Sequence, residues 1–346
     1  LKGDHMLHKL MKIILTLGIF SLGLLALPHS AQAAGANFTV ERIASNQQND
    51  STVSYFDLKL KPNQTTEVKV KVTNLSNKEI HLIASPNTGY TTDGGAVAYD
   101  LKTLGKKSSA PYQLETIMGG QQKITIPASS KKIVTFPIKM PATPFKGVLD
   151  GAIYFLNPKT SQATTTNKKN FTIKSRFALA LGVTIHEDTK TIVSPKLTLG
   201  TITTGTDQGD KFSPAFKAQI VNNRAVLVKN LQIKSAVSKN GRSLYKTNTK
   251  NLTMAADSNF NYAITTHHAA LKAGTYHLHL VAKSGSQKWT LNRTFTVSKD
   301  QAAKANKHAH IKKSYTLWIV LAVLLILLLL ILAYWLGRRG SKKVQK

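Results

Sequence analysis

The stretch from Tyr315 to Leu336, YTLWIVLAVLLILLLLILAYWL, contains no charged residue and constrains this chain more than any other. A helix of about 20 apolar residues spans the hydrocarbon core of a bilayer and satisfies its own backbone polar groups there. Tyr315 and Trp318 stand at one end and Tyr334 and Trp335 at the other, where amphipathic rings favour a membrane interface. A buried core helix does not normally lack polar residues for so long. Residues 337–346 follow with Arg338, Arg339, Lys342 and Lys343 and no acid. The pattern predicts one membrane-spanning helix over 315–336 with a basic cytoplasmic tail.

The other end sets the orientation. Lys9 and Lys12 precede an apolar run from Ile13 to Leu27, and Ala31-Gln32-Ala33 has the small-x-small spacing of a signal cleavage site. Residues 1–33 therefore read as leader and signal peptide, with the mature chain beginning at Ala34. An uncleaved second anchor is the alternative, but the run is short for one. The expected topology places 34–314 outside the cell membrane and the C-terminus in the cytoplasm. The basic tail agrees with the positive-inside tendency, and the lysines at 304, 307, 312 and 313 mildly oppose it. Leu1 to His5 precede Met6, and Lys2-Gly3-Asp4 can be encoded by a ribosome-binding sequence, so translation is expected to start at Met6.

The outer segment is long enough for two domains. It has no cysteine, so an exported chain of this kind must hold its fold by packing alone, and thiol catalysis and Cys-based zinc sites are excluded. Residues 34–314 carry 39 Lys and Arg against 15 Asp and Glu. Such a balance suits an anionic partner. An exported chain meets anionic wall polymers or acidic surface proteins rather than nucleic acid. The plainer reading is a solvated basic surface.

Strand signals then recur. In Thr65 to Val72, Val68, Val70 and Val72 alternate with lysines, the period of a half-buried strand. Asn74 to Lys78 reads as a turn leading into Glu79 to Ala84, and the two runs suggest a hairpin. Lys123 to Ile126 and Lys131 to Met140 repeat the scheme, and Gly147 to Leu156 is a last, largely apolar strand. Residues 34–158 are expected to form one immunoglobulin-like β-sandwich. Residues 159–170 are polar and Thr-rich, either a linker or an exposed loop. A second sandwich is expected over 171–299, with strands from Phe171 to Ile185, Ala215 to Val221, Leu231 to Val237, Phe260 to Ile264, Thr275 to Ala282 and Lys288 to Val297. Asn240-Gly241 signals a hairpin within it. This part carries 18 cations and 5 acids, against 14 and 9 in residues 34–158, so it is the stronger candidate for an anionic partner. Residues 300–314 read as a polar stalk. The fold class is all-β.

No catalytic, cofactor-binding or metal site emerges. His277 and His279 share a strand face, with His267 and His268 near in sequence, a pattern from which a zinc site can be built. Asp257 is the nearest acid, and a solvated strand face is the better reading. His308 and His310 lie in the stalk. The Asp93 and Asp207–Asp210 segments read as turns rather than calcium loops. No hydrolase, metalloprotease or P-loop spacing is found. Tyr55, Phe56 and Trp289 are candidates for contact with sugar rings or a partner, but at strand spacing they read as core. No partner-binding residues can be assigned.

Taken together, NFTVERI (37–43), VSYFDLKLKPNQTTEVKVKVTNLSNKEI (53–80) and MPATPFKGVLDGAIYF (140–155), followed by RFALALGVTI (176–185), NLTMAADSNFNYAI (251–264) and LKAGTYHLHLVAKSGSQKWTLNRTFTV (271–297), resemble the WxL-interacting proteins of Gram-positive surfaces. The likeness covers nearly the whole mature chain and rests on order and spacing. One departure is Asn222-Asn223-Arg224-Ala225, where relatives often have an Asn-Pro-x-Pro-like turn. The resemblance implies a first domain on peptidoglycan, a second on host surface or matrix proteins, and association with secreted WxL-domain proteins. The residues themselves read as a non-catalytic, membrane-tethered pair of sandwiches without cofactors, built to hold a partner. The alternatives are a plain adhesin or anionic wall-polymer binder without a WxL partner and, more remotely, a zinc-dependent wall enzyme.

Overall fold

Val68, Val70 and Val72 are all buried and the lysines between them face outward, as the alternation predicts. The computed structural model describes residues 36–159, 162–166, 171–311 and 316–341, without the side chains of 162–166, 171–175, 316–319 and 334–341. Ala31, Ala33, Ala34, Tyr315, Lys342 and Lys343 lie outside the described residues, as do the side chains of Trp318, Tyr334, Trp335, Arg338 and Arg339.

The first half contains β1 (Phe38–Arg42), β2 (Phe56–Lys59), β3 (Thr65–Asn74), β4 (Ile80–Thr88), the short β5 (Tyr90–Thr91) and β6 (Val97–Ala98), and a helical turn, α1 (Leu114–Ile117). It continues with β7 (Gln122–Ile126), β8 (Lys131–Lys139), β9 (Val148–Leu156), β10 (Gln162–Thr166), β11 (Phe171–Ser175) and β12 (Ala178–His186). Two sheets face each other, one ordered β1-β3-β8 and one β2-β12-β9-β4-β7. Phe56, Phe136, Phe155 and Leu82 fill the core between them.

Two expectations change here, and a third narrows. The runs at 65–72 and 79–84 do not form a hairpin: β3 pairs with β1 and β8, whereas β4 pairs with β7 and β9. The NLSNK turn is a corner between sheets, and the turn between β7 and β8 is another. The buried Asn74 side chain ties them by donating to the carbonyls of Lys78 (2.8 Å), Ile126 (3.2 Å) and Pro127 (2.8 Å). Next, β12 belongs to the first sandwich, not the second. It pairs antiparallel with β9 over its whole length and parallel with β2. Its alternating Leu181, Val183 and Ile185 bury against the first core, which is where its apolar face finds cover. Finally, of the two readings of residues 159–170 the structure favours the loop over the linker: the described residues 162–166 form β10, which pairs antiparallel with β11 between the paired β9 and β12.

The second sandwich begins after His186. It consists of β13 (Leu197–Asp207), β14 (Ser213–Asn222), β15 (Val228–Lys239), β16 (Arg242–Met254), β17 (Ser258–Thr265), β18 (Gly274–Ser284) and β19 (Gln287–Val297). One sheet is ordered β13-β14-β17 and the other β16-β15-β18-β19. Asn240 and Gly241 both take positive φ, 50° and 75°, so the expected Asn-Gly hairpin joins β15 to β16 with Lys239 opposite Arg242. Phe216 anchors the core, with Tyr276 and Phe295 edge-on at centroid distances of 5.0 Å and 5.4 Å. Asn222, fully buried at the end of β14, donates to the carbonyls of Val226 (2.8 Å) and Ala255 (3.0 Å), the role Asn74 has in the first sandwich.

The expected stalk is in part a wall of this domain. Helix α2 (Lys299–His308) is capped by Ser298, which accepts from the Gln301 N–H while the Gln301 side chain accepts from the Ser298 N–H. It buries Ala302 and Ala305 in the second core, and Asn306 brackets the Leu271 backbone at 2.7 Å and 2.9 Å. Small residues let the helix approach the sheet closely, which its polar composition conceals.

The two sandwiches are joined by backbone-rich contacts. The β5–β6 hairpin reaches across, so that the Thr91 and Ser258 hydroxyls lie 2.5 Å apart and Thr91 accepts the Ala255 N–H at 3.0 Å. Gly95 accepts from the Thr253 N–H (2.8 Å), Asp93 from the Asn261 N–H (3.0 Å), and Ala225 from the Val148 N–H (2.8 Å). Beside the last, Gly147 has φ 91°, and a Cβ there would meet the Ala225 oxygen at 2.1 Å. Only glycine fits both that backbone and that approach.

Helix α3 (Thr316–Ser341) follows. Among the described residues no helix is long and apolar enough to cross a membrane.

Candidate functional site

Asp57 on β2, Thr184 on β12 and Asp150 on β9 are neighbours in register. Partners in register share a face, so all three side chains leave the sheet on the side away from Phe56, Leu58, Val183 and Ile185. They form the floor of a cleft of about 760 Å³ at the junction of the two sandwiches. Tyr55 and Tyr99 line it from the first domain, and Ala225 to Lys229 from the second.

Asp57 is held at several points. His186 Nε2 lies 2.8 Å from its Oδ1, Asn49 Nδ2 donates to its Oδ2 at 2.9 Å, and its carbonyl accepts the Asn49 N–H at 2.6 Å. The network fastens the 45–55 loop to the sheet and fixes the imidazole ring. Asp150 is different. It is 6% exposed, and its polar partners are the Tyr99 hydroxyl at 3.5 Å and the charge of Lys229. Burial raises its pKa to about 7, against the opposing influence of Tyr99 and Lys229. Burial likewise raises the Tyr99 phenol, with Asp150 adding to the effect, and the Tyr55 phenol, with Asp57 adding to it.

A second cleft, of about 300 Å³, shares Val148 and Asp150 with the first and is lined by Tyr112, Phe145, Arg224 and Asp257. Tyr112 and Phe145 pack with centroids 6.1 Å apart. Burial raises the Asp257 pKa, opposed by the Arg224 charge. Carboxylates, phenols and one imidazole around polar space can hold a polar ligand or a peptide. The Asp57–His186 pair orients loops, and no serine or cysteine lines either cleft as a nucleophile beside it.

The histidines singled out by sequence are placed apart from these clefts. His277 and His279 share the exposed face of β18, as expected, and bond Thr294 and Asn292 on β19. His267 and His268 flank Asp210 at 3.5 Å and 3.6 Å. Among the described residues no group of three or more His, Cys, Asp or Glu is arranged to hold a metal. Phe56 is core, Trp289 packs half-buried against the second core, and Tyr55 faces the cleft. Sequence reading missed Asp57, Asp150, Tyr99, His186 and Lys229, which come together only through strand register and the domain junction. The one available signal was an acid inside the apolar run VLDGAIYFL.

The family model described as WxL Interacting Protein, peptidoglycan binding domain, matches residues 38–157. The model described as WxL Interacting Protein, host binding domain, matches residues 168–307. No curated protein matches. Among solved structures, the chain is similar to the YadV chaperone at 10% identity, covering 75% of this chain and 100% of that one, with a TM-score of 0.26. It is similar to the Pseudomonas aeruginosa CupB2 chaperone at 14% identity, covering 66% and 92%, with a TM-score of 0.24. The E. coli chaperone DraB gives 10% identity, 75% and 98% coverage and a TM-score of 0.27. Scores of this size carry no argument about this chain.

Proposed function

This chain belongs to the WxL-interacting proteins, and on that footing we propose that it is a non-catalytic, membrane-anchored scaffold on a Gram-positive surface. It holds secreted WxL-domain proteins at the wall, with the first sandwich toward peptidoglycan and the second toward host surface or matrix proteins. The observation that carries the reading is the tandem of peptidoglycan-binding and host-binding family modules in one chain, joined by direct hydrogen bonds. A fixed junction suits a scaffold, because two bound partners are then held at a set separation.

The anchor is the helix over Thr316–Ser341. Val320 to Leu332 leave their aliphatic side chains 48–68% exposed, apolar surface that water disfavours and lipid accepts. With the basic tail inside, residues 34–314 face outward.

Capture from the parent cell's surface fraction tests the scaffold. The bait is residues 34–311, extended to include α2 because Ala302 and Ala305 belong to the second core. Retention of a WxL-domain protein through a high-salt wash is expected. Recovery of wall polymer alone, or of no WxL protein by folded bait, refutes the reading.

A further inference from the structure

The sheet β16-β15-β18-β19 turns one face to the second core and the other to solvent. Its four strands contain no Asp or Glu. The register sorts the outer face. Lys283 stands opposite Lys288, Val281 opposite Thr290, His279 opposite Asn292, and His277 opposite Thr294. On the neighbouring strands Lys234 stands opposite Val281 and Lys246 opposite Ala236. The face is therefore a flat field of exposed lysines and histidines set among Thr, Asn, Gln and Ser.

Two observations mark this field as built for a ligand rather than for water. Among the described residues none of Lys234, Lys246, Lys283 and Lys288 has an ion-pair partner, whereas Lys69 and Lys71 of the first domain pair with Glu67 and Glu41 at 3.0 Å and 2.6 Å. The direct Lys283–Lys288 opposition is also a cross-strand arrangement that costs stability unless an anion lies between the two. The kind of anion follows from what the face lacks. Protein interfaces centre on apolar and aromatic side chains. Here the aromatics of β19, Trp289 and Phe295, point to the core, and among the described residues the apolar interruptions of the polar surface are small or scattered: Val281, Ala236 and the exposed Leu244 of β16.

We infer that this outer face binds a linear phosphodiester polyanion of the cell wall, its lysines meeting phosphates and its Thr, Asn and His side chains hydrogen-bonding the polyol between them. The inference rests on the outward placement proposed above, and it adds to the scaffold role a contact that holds the second domain within the wall.

The test is binding of a synthetic glycerol-phosphate oligomer to the full-length protein in zwitterionic detergent micelles, titrated at several salt concentrations. The K234Q/K246Q/K283Q/K288Q variant keeps the basic tail. It should lose on the order of 100-fold in affinity at low salt and reduce the log–log salt slope by about 3. A charge-matched K61Q/K78Q/K123Q/K139Q variant in the first domain should stay within about threefold of wild type. The four-lysine variant should melt no lower than wild type, which separates lost binding from lost fold. Equal losses in both variants, equally tight binding of poly-glutamate, binding to anionic lipid vesicles but not to the oligomer, or no binding at low salt each overturns the inference. The readout is the polymer alone, so its failure leaves WxL capture standing, and failure of capture leaves polymer binding standing.

Discussion

Replacing Asp150 with Asn should remove a pH dependence from the stability of the fold. The carboxyl is 6% exposed, with a pKa of about 7 in the folded chain against 3.8 for the unperturbed group. A raised carboxyl pKa means that the folded state holds its proton more tightly than the unfolded state does. Below about pH 3 both states are protonated and the group contributes nothing to pH dependence. As pH rises from about 4 through 7 the unfolded state ionises first, and stability falls; above about 8 both are ionised and the loss is complete. A difference of about 3 pK units corresponds to roughly 4 kcal/mol. Asn has nearly the same shape and carries no charge. The Asp150→Asn variant should therefore match wild type near pH 4 and exceed it by up to about 4 kcal/mol at pH 8. Urea unfolding of residues 34–311 at half-unit steps from pH 4 to 8.5 reads the difference directly. Two curves that stay parallel within about 1 kcal/mol would mean that the carboxylate is hydrated in the folded cleft, refuting the burial argument.

Three other perturbations address the frame. Gly147→Ala should separate the domains locally, because its Cβ would lie 2.1 Å from the Ala225 oxygen at a φ of 91°; hydrogen exchange should rise at Val148, and unchanged exchange with unchanged stability would count against a tight junction. Asn74→Ala leaves the Ile126 carbonyl buried without its side-chain donor and should cost about 2–3 kcal/mol by denaturant unfolding. Ala305→Asp places a charge in the second core, where Ala305 is 3% exposed, and should lower the melting temperature of that domain; an unchanged value would return 300–308 to the status of a stalk.

The sequence made plain what is local. The Val68–Val70–Val72 alternation and the Asn240-Gly241 hairpin both depend on neighbouring residues, and both are found where expected. Pairing is not local. NLSNK has the composition of a hairpin turn, and only the cross-sheet bonds of Asn74 distinguish it as a corner. The run at 178–186 has the composition of any buried strand, and the gap between β9 and β2 decides where it goes. The cleft was hidden for the same reason, since Asp57 and His186 are 129 residues apart and meet through parallel pairing. The Lys-rich face was foreshadowed by the charge imbalance of 171–299, but its segregation from acid needed the register.

The position of β12 bears on how such proteins can be recombined. The gap between the two family modules, between residues 157 and 168, falls before the strand that completes the five-stranded sheet of the first. A gene exchange made in that gap would send β12 away with the wrong partner and leave β2 and β9 facing an empty slot. Functional shuffling of host-binding modules between relatives must instead cut between His186 and Leu197, where no strand is divided.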